Sequence, residues 1–149
     1  MILISHRGNI CGPNREKENT LEYIQKALDL GFDVEIDVWG RSQLWLGHDK
    51  PEHPCPLKFL VKNFRKLWIH CKNLEAISIL SELKVLNYFW HQEDDFSLTS
   101  KNFIWTYPGK RVCNRSVLVI DDATNYAGQI CFGLCSDYIR KNNEQVEPS

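Results

Sequence analysis

The hexapeptide Asp33-Val34-Glu35-Ile36-Asp37-Val38 constrains this chain more than any other stretch. Side chains alternate across a strand, so Val34, Ile36 and Val38 share one face and Glu35 and Asp37 the other. Two neighbouring carboxylates in a buried strand repel each other and are costly to desolvate. A bound cation removes both problems, because hard divalent ions take carboxylate oxygens. An exposed edge strand with a solvated acidic face is the competing reading of the same residues.

A second strand repeats the pattern. In Leu67-Trp68-Ile69-His70-Cys71-Lys72, His70 and Lys72 lie on one face and Ile69 and Cys71 on the other. His70 is a candidate third metal ligand and Lys72 a candidate phosphate or carboxylate partner. The competing reading is a strand that runs into a polar loop. The first strand ends in Ser5-His6-Arg7-Gly8. Here Gly8 permits a tight exit, His6 transfers protons near neutral pH, and Arg7 offers a planar fork to a phosphate. A further His follows in Leu46-Gly47-His48-Asp49, where Asp49 is placed to orient His48.

Apolar alternation predicts eight strands, over 2–5, 33–38, 43–46, 67–71, 86–90, 103–106, 116–120 and 130–135. Helices are predicted over 20–30, 57–66 and 74–84. Asn19 and Glu22 read as the cap of the first, Gly31 as its end, and Asn73 as the cap of the third. The order of elements predicts an α/β fold with parallel strands. An eight-stranded barrel of this type normally takes about 250 residues, and this chain has 149. Eight strands fit only as a reduced TIM-type (β/α)8-like barrel, with most later helices cut to turns. The expected organisation is one domain over 1–140 and a frayed polar tail over 141–149.

Composition excludes some partners. Lys plus Arg number 18 against 19 for Asp plus Glu, a net charge of -1, so no basic excess suits a nucleic acid. No apolar run approaches the roughly 18 residues of a membrane span. The amino-terminal stretch lacks the apolar core of a signal peptide, so the expected setting is cytoplasmic and the six cysteines are expected as thiols. Two His, two carboxylates, Arg and Lys at strand ends suit attack on a phosphodiester. In that chemistry one His takes a proton, the other protonates the leaving oxygen, and a metal with Arg or Lys neutralises the phosphoryl oxygens.

The ordered set His6-Arg7-Gly8, Glu18-Asn19-Thr20, Glu35-Ile36-Asp37-Val38, Gly47-His48-Asp49, His70-Cys71-Lys72 and Gly133-Leu134-Cys135-Ser136-Asp137-Tyr138 resembles the glycerophosphodiester phosphodiesterase family. The likeness covers the first half of the chain well and 91–129 poorly. It implies a TIM-type barrel that hydrolyses a small glycerophosphodiester with one divalent cation, Mg²⁺ or Ca²⁺. By position it implies His6 and His48 as the acid/base pair, Glu35 and Asp37 as metal ligands, and Arg7 and Lys72 as phosphate ligands. His70 stands where the family has a carboxylate, and its nitrogen shifts the preference toward Mn²⁺ or Zn²⁺. That replacement and the missing helices also fit a degenerate barrel that binds a phosphorylated ligand without turnover. Uncovered outer strands are compatible with a homo-oligomer.

Other polar residues divide between the two readings. His91 is placed equally for the mouth and for the surface, and His53 belongs to a Pro-rich surface loop. Trp105 is expected in the core, with Tyr107 nearer a head group. Asp121 and Asp122 read as a turn, and Asp137 as support for the site by family likeness.

Overall fold

The computed structural model describes residues 1–141, and the stretch 142–149 of the expected polar tail lies outside the described residues. In chain order the elements are β1 (Ile2–His6), α1 (Leu21–Asp29), β2 (Asp33–Gly40), β3 (Leu44–Leu46), β4 (His53–Pro54), α2 (Leu57–Lys62) and β5 (Leu67–Cys71). They continue with α3 (Leu74–Ser81), β6 (Tyr88–Phe89), β7 (Phe96–Leu98), β8 (Ile104–Thr106), β9 (Ser116–Val119) and β10 (Gly133–Ser136). The ten strands form one mixed sheet. Its parallel run has the order β6-β5-β2-β1-β10-β9-β8, with β3, β4 and β7 added antiparallel.

This sheet is a curled half-barrel, not the expected reduced (β/α)8 barrel. The reason lies after Ser81, where the described residues contain no further helix. A parallel barrel needs a helix over each outer strand face, and here only the sheet around β2 and β5 is covered. The short β6 pairs with β5 alone, and the antiparallel β7 ends the other side. The two ends meet at Ser100, whose N–H donates to the Tyr88 carbonyl at 2.8 Å while its hydroxyl accepts from the Tyr88 N–H at 3.0 Å, and through the stacked rings of Phe89 and Trp105. The strands β4 and β7 were not expected; each is too short to show alternation.

The two faces of the sheet have different company. Val34, Ile36 and Val38 of β2, with Ile69 and Cys71 of β5, pack against Ile24 of α1 and Ala76 and Leu80 of α3. The opposite face is layered. Its floor is apolar, made of Ile4, Trp68, Phe89, Trp105, Val117 and Cys135. Beyond the floor, toward the carboxyl ends of the strands, come His6, Glu35, Asp37, His70 and Asp137. Alternation therefore delivers both the helix-facing core and the polar layer from the same strands. No helix among the described residues is long and apolar enough to cross a membrane. All six cysteines are free, and burial pushes the Cys55 and Cys71 thiols up to about 12.

Local signals hold with one exception. Asn73 caps α3, accepting the Ala76 N–H at 3.1 Å, and also exchanges two hydrogen bonds with Gly40 at 2.8 and 2.7 Å. The cap of α1 is Thr20, which accepts from the Tyr23 N–H at 3.3 Å; Asn19 is used elsewhere. The clamp at Gly40 depends on its missing side chain, because a Cβ there would overlap the backbone of Glu75 and Ala76. Gly40→Ala is therefore expected to cost about 2–3 kcal/mol and lower Tm by roughly 5–10 °C. Thermal denaturation followed by circular dichroism measures this, and an unchanged Tm contradicts it.

Candidate active site

Strand register assembles the site. In the parallel pairs His6 lies beside Glu35, and Asp37 beside His70. The chain leaves β1 through a left-handed turn, with Arg7 at φ 56° and Gly8 at φ 94°. Such a φ is unfavourable for Arg, and two backbone hydrogen bonds hold it. The Arg7 N–H donates to the Glu35 carbonyl at 2.9 Å, and its carbonyl accepts from the Asn19 N–H at 3.1 Å. The turn brings the Arg7 side chain back over β2, with Nε 3.0 Å from Asp37 Oδ2.

Asp37 is fully buried and saturated with partners. Asn19 donates to its Oδ2 at 2.9 Å and accepts the Asp37 N–H at 3.0 Å. On the other oxygen, His70 Nδ1 lies at 3.1 Å and Lys72 Nζ at 3.6 Å. Burial pushes this carboxyl up, but the hydrogen bond with His70 and the charges of Arg7 and Lys72 outweigh it, so its pKa is held well below the carboxylate range. Glu35 is the opposite case. It is equally buried, yet its Oε2 has no hydrogen-bond partner. The nearest imidazole nitrogens are His6 Nε2 at 3.8 Å from Oε2 and His70 Nδ1 at 4.0 Å from Oε1. Burial and the neighbouring Asp37 charge push its pKa up.

His6 is backed by a carboxylate, its Nδ1 2.8 Å from Asp137 Oδ1 on the loop that follows β10. Asp137 is held in turn by Asn9, which donates to it and to Glu18, both at 2.8 Å. Burial lowers the His6 pKa, but the Asp137 hydrogen bond and the Glu35 charge raise it further, so the net shift is upward. His48 comes from the loop after β3. Trp39 fixes this loop by donating to the Gly47 carbonyl at 2.7 Å, and the Gly47 N–H donates to the Asp37 carbonyl at 3.2 Å. His48 Nδ1 lies 2.7 Å from Asp49, and partial burial and the Arg7 charge lower its pKa.

His6, Arg7, Glu35, His48, His70 and Lys72 all line one cavity of about 440 Å³. Asp37 lies behind it. His91, for which two placements were open, lines the cavity and stacks on His70 with ring centroids 4.6 Å apart. Trp105 joins the core floor but also reaches the cavity, as does Tyr107. Asp122 closes a turn by accepting from Thr124 at 2.8 Å, and His53 sits in β4, away from the cavity. Two functional residues escaped the sequence reading. Asn9 drew no reading from the sequence; it is wholly buried and finds its polar partners in Glu18 and Asp137. Asn19 matched a helix cap but serves Asp37.

Glu35, Asp37 and His70 each present an atom that could ligate a metal, and these atoms lie within 4.8 Å of one another. The unpartnered Glu35 oxygen fits such an ion, as does His70, whose two ring nitrogens both face oxygen acceptors: Asp37 at 3.1 Å and the His91 carbonyl at 3.3 Å. Comparison of the chain with protein-family models, curated proteins and solved structures returns no match, so the site is read from its own chemistry.

The two acidic residues are expected to respond oppositely to neutralisation. Without added metal at pH 7, Glu35→Gln removes a buried carboxyl that is costly to ionise and should raise stability by about 1 kcal/mol. Asp37→Asn strands Arg7, Lys72 and His70 and should cost about 3 kcal/mol. Urea unfolding of the two variants beside wild type checks this, and equal losses in both would contradict it.

Proposed function

We propose that the cavity hydrolyses a small phosphodiester with the help of a divalent cation. The observation that carries this reading is convergence. One cavity receives a carboxylate-backed His, a second His, two cationic side chains and a buried carboxylate with an unpartnered oxygen. The reaction class agrees with the resemblance to glycerophosphodiester phosphodiesterases.

Charge supports the cation. Glu18, Glu35, Asp37 and Asp137 are linked in one network with only two permanent positive partners, Arg7 and Lys72. With the proton on His6 an excess of negative charge still stands, and a divalent ion held by Glu35, Asp37 and His70 would offset it, most directly at the unpartnered Glu35 oxygen. The two carboxylates suit Mg²⁺ or Ca²⁺, and the His70 nitrogen favours Mn²⁺ or Zn²⁺. Bound there, the ion would supply charge stabilisation to a phosphoryl oxygen.

The remaining chemistry belongs to the chain. A water oxygen bonds to phosphorus and the ester P–O bond breaks, giving a phosphomonoester and an alcohol. His48 is the base that takes the water proton, because its lowered pKa keeps the ring neutral at pH 7. His6 gives a proton to the leaving oxygen. Asp137 occupies its Nδ1 side, so Nε2 is the nitrogen available to the cavity. Arg7 and Lys72 stand on the cavity wall to face the phosphate. Six free thiols support a cytoplasmic setting.

A second reading, phosphate-ester binding without turnover, draws on His48. Its side chain is 44% exposed and its carboxylate partner, Asp49, is 90% exposed. Purified protein with Mg²⁺, Ca²⁺, Mn²⁺ or Zn²⁺ is expected to hydrolyse bis(p-nitrophenyl) phosphate or glycerophosphocholine. EDTA should abolish turnover, and His6→Ala and His48→Ala should each lower kcat by about 10²–10⁴-fold. Binding of a phosphate ester without turnover under any metal would favour the second reading.

The pH profile gives an independent check. Protonation of His48 removes the base, so kcat/KM is expected to fall as pH falls, on a limb below the ordinary imidazole value of 6.5. A flat profile from pH 5 to 7 would remove His48 from this role.

A further inference from the structure

Part of the cavity wall is aromatic. Trp90 and Tyr107 line it with 40% and 51% of their surface exposed. Behind them the rings form a ladder. Trp105 and Phe89 lie 4.6 Å apart, Phe89 and His70 lie 5.2 Å apart at 3°, and His70 and His91 lie 4.6 Å apart at 16°. The ladder ends on His91, which also lines the cavity. Large aromatic side chains left in water forgo the gain of burial, and a ligand that covers them recovers it.

We propose that the substrate is a phosphodiester with one arm bearing a planar aromatic ring of the nucleobase kind. The ring stacks among Trp90, Tyr107 and His91 while Arg7 and Lys72 face the phosphate. This inference rests on the phosphodiesterase reading and narrows its substrate class. A stack of near-parallel rings is extended most simply by another flat ring. A cationic head group suits the cavity less well. It would share the space with Arg7 and Lys72, and of the carboxylates on the wall Glu35 is buried and Asp94 already accepts from the Gln92 N–H at 3.3 Å. About 440 Å³ accommodates one such arm, and a net charge of -1 fits a small nucleotide-like ester better than a polyanion.

The test is isothermal titration calorimetry of the full chain with three phosphomonoesters: adenosine monophosphate, glycerol 3-phosphate and phosphocholine. Adenosine monophosphate is expected to bind at least about tenfold more tightly than the other two, the scale of one base stacked on aromatic side chains. Trp90→Ala and Tyr107→Ala should each remove most of that preference, and Tyr107→Phe should keep it. Both positions are exposed, so the variants are expected to fold. Equal affinity for the three probes, tighter binding of phosphocholine, or a preference that survives both alanine variants overturns the inference. Turnover of bis(p-nitrophenyl) phosphate alongside equal affinities would leave the hydrolytic reading standing and remove the aromatic one. A tenfold preference with no turnover of any diester would do the reverse.

Discussion

The buried carboxylate of Asp37 organises this molecule. Removing a charge from water costs several kcal/mol, and only close opposite charges and hydrogen bonds offset that cost. Asp37 draws its compensation from four places in the chain: the turn after β1, the residue before the α1 cap, the body of β5 and the residue after it. Arg7, Asn19, His70 and Lys72 must all arrive together. The left-handed turn at Arg7 is a consequence. Its unfavourable backbone conformation persists because Glu35, Asn19 and Asp37 hold it from three sides. A residue bound by so many others is fixed in place, whereas Glu35 keeps an oxygen unmatched. The site is thus divided between an anchored carboxylate and an open one, two positions apart on the same strand.

That division explains which parts were legible in the sequence. The alternation in 33–38 and 67–71 assigns side chains to faces without any tertiary information, and the polar face it predicts is the one that forms the site. Parallel pairing then turns two separate patterns into the contacts His6 with Glu35 and His70 with Asp37. Asn19 shows the limit of local reasoning. A polar residue before an apolar helix looks like a cap, and Thr20 beside it satisfies the same need, which frees Asn19 for a partner 18 residues away that only the folded chain supplies.

The barrel expectation failed for a related reason. Counting strands says nothing about how each is covered or how the sheet ends. Seven of the strands do run parallel in one curved array, so the local pattern was sound. Closure depends on the segment after Ser81, where β6 has two residues and β7 turns antiparallel. Short strands offer few ladder hydrogen bonds, and after α3 the described residues add no helix to cover further strands. The chain instead spends its aromatic residues on the inner floor, where Trp68, Phe103, Trp105 and Phe132 pack at centroid distances of 4.3–6.2 Å.

An open sheet can still gather these groups, because apart from Asp94 the charged residues of the cavity come from one side of it. The strands β1, β2 and β5, the loop after β3 and the residue following β10 supply the imidazoles, carboxylates and cations. The strands β6 and β8 and their loops supply rings. Within the first group Asp37 and Asp137 are held by their neighbours, while Glu35 keeps an oxygen without a partner. The second faces no such demand, and its exposed rings at Trp90 and Tyr107 are held by local packing alone. The exposed rings at Trp90 and Tyr107 can therefore vary without disturbing the electrostatic balance of the first group. A barrel closed by further strands and helices would cover more of the outer strand faces, but the polar cluster around Asp37 does not depend on that closure.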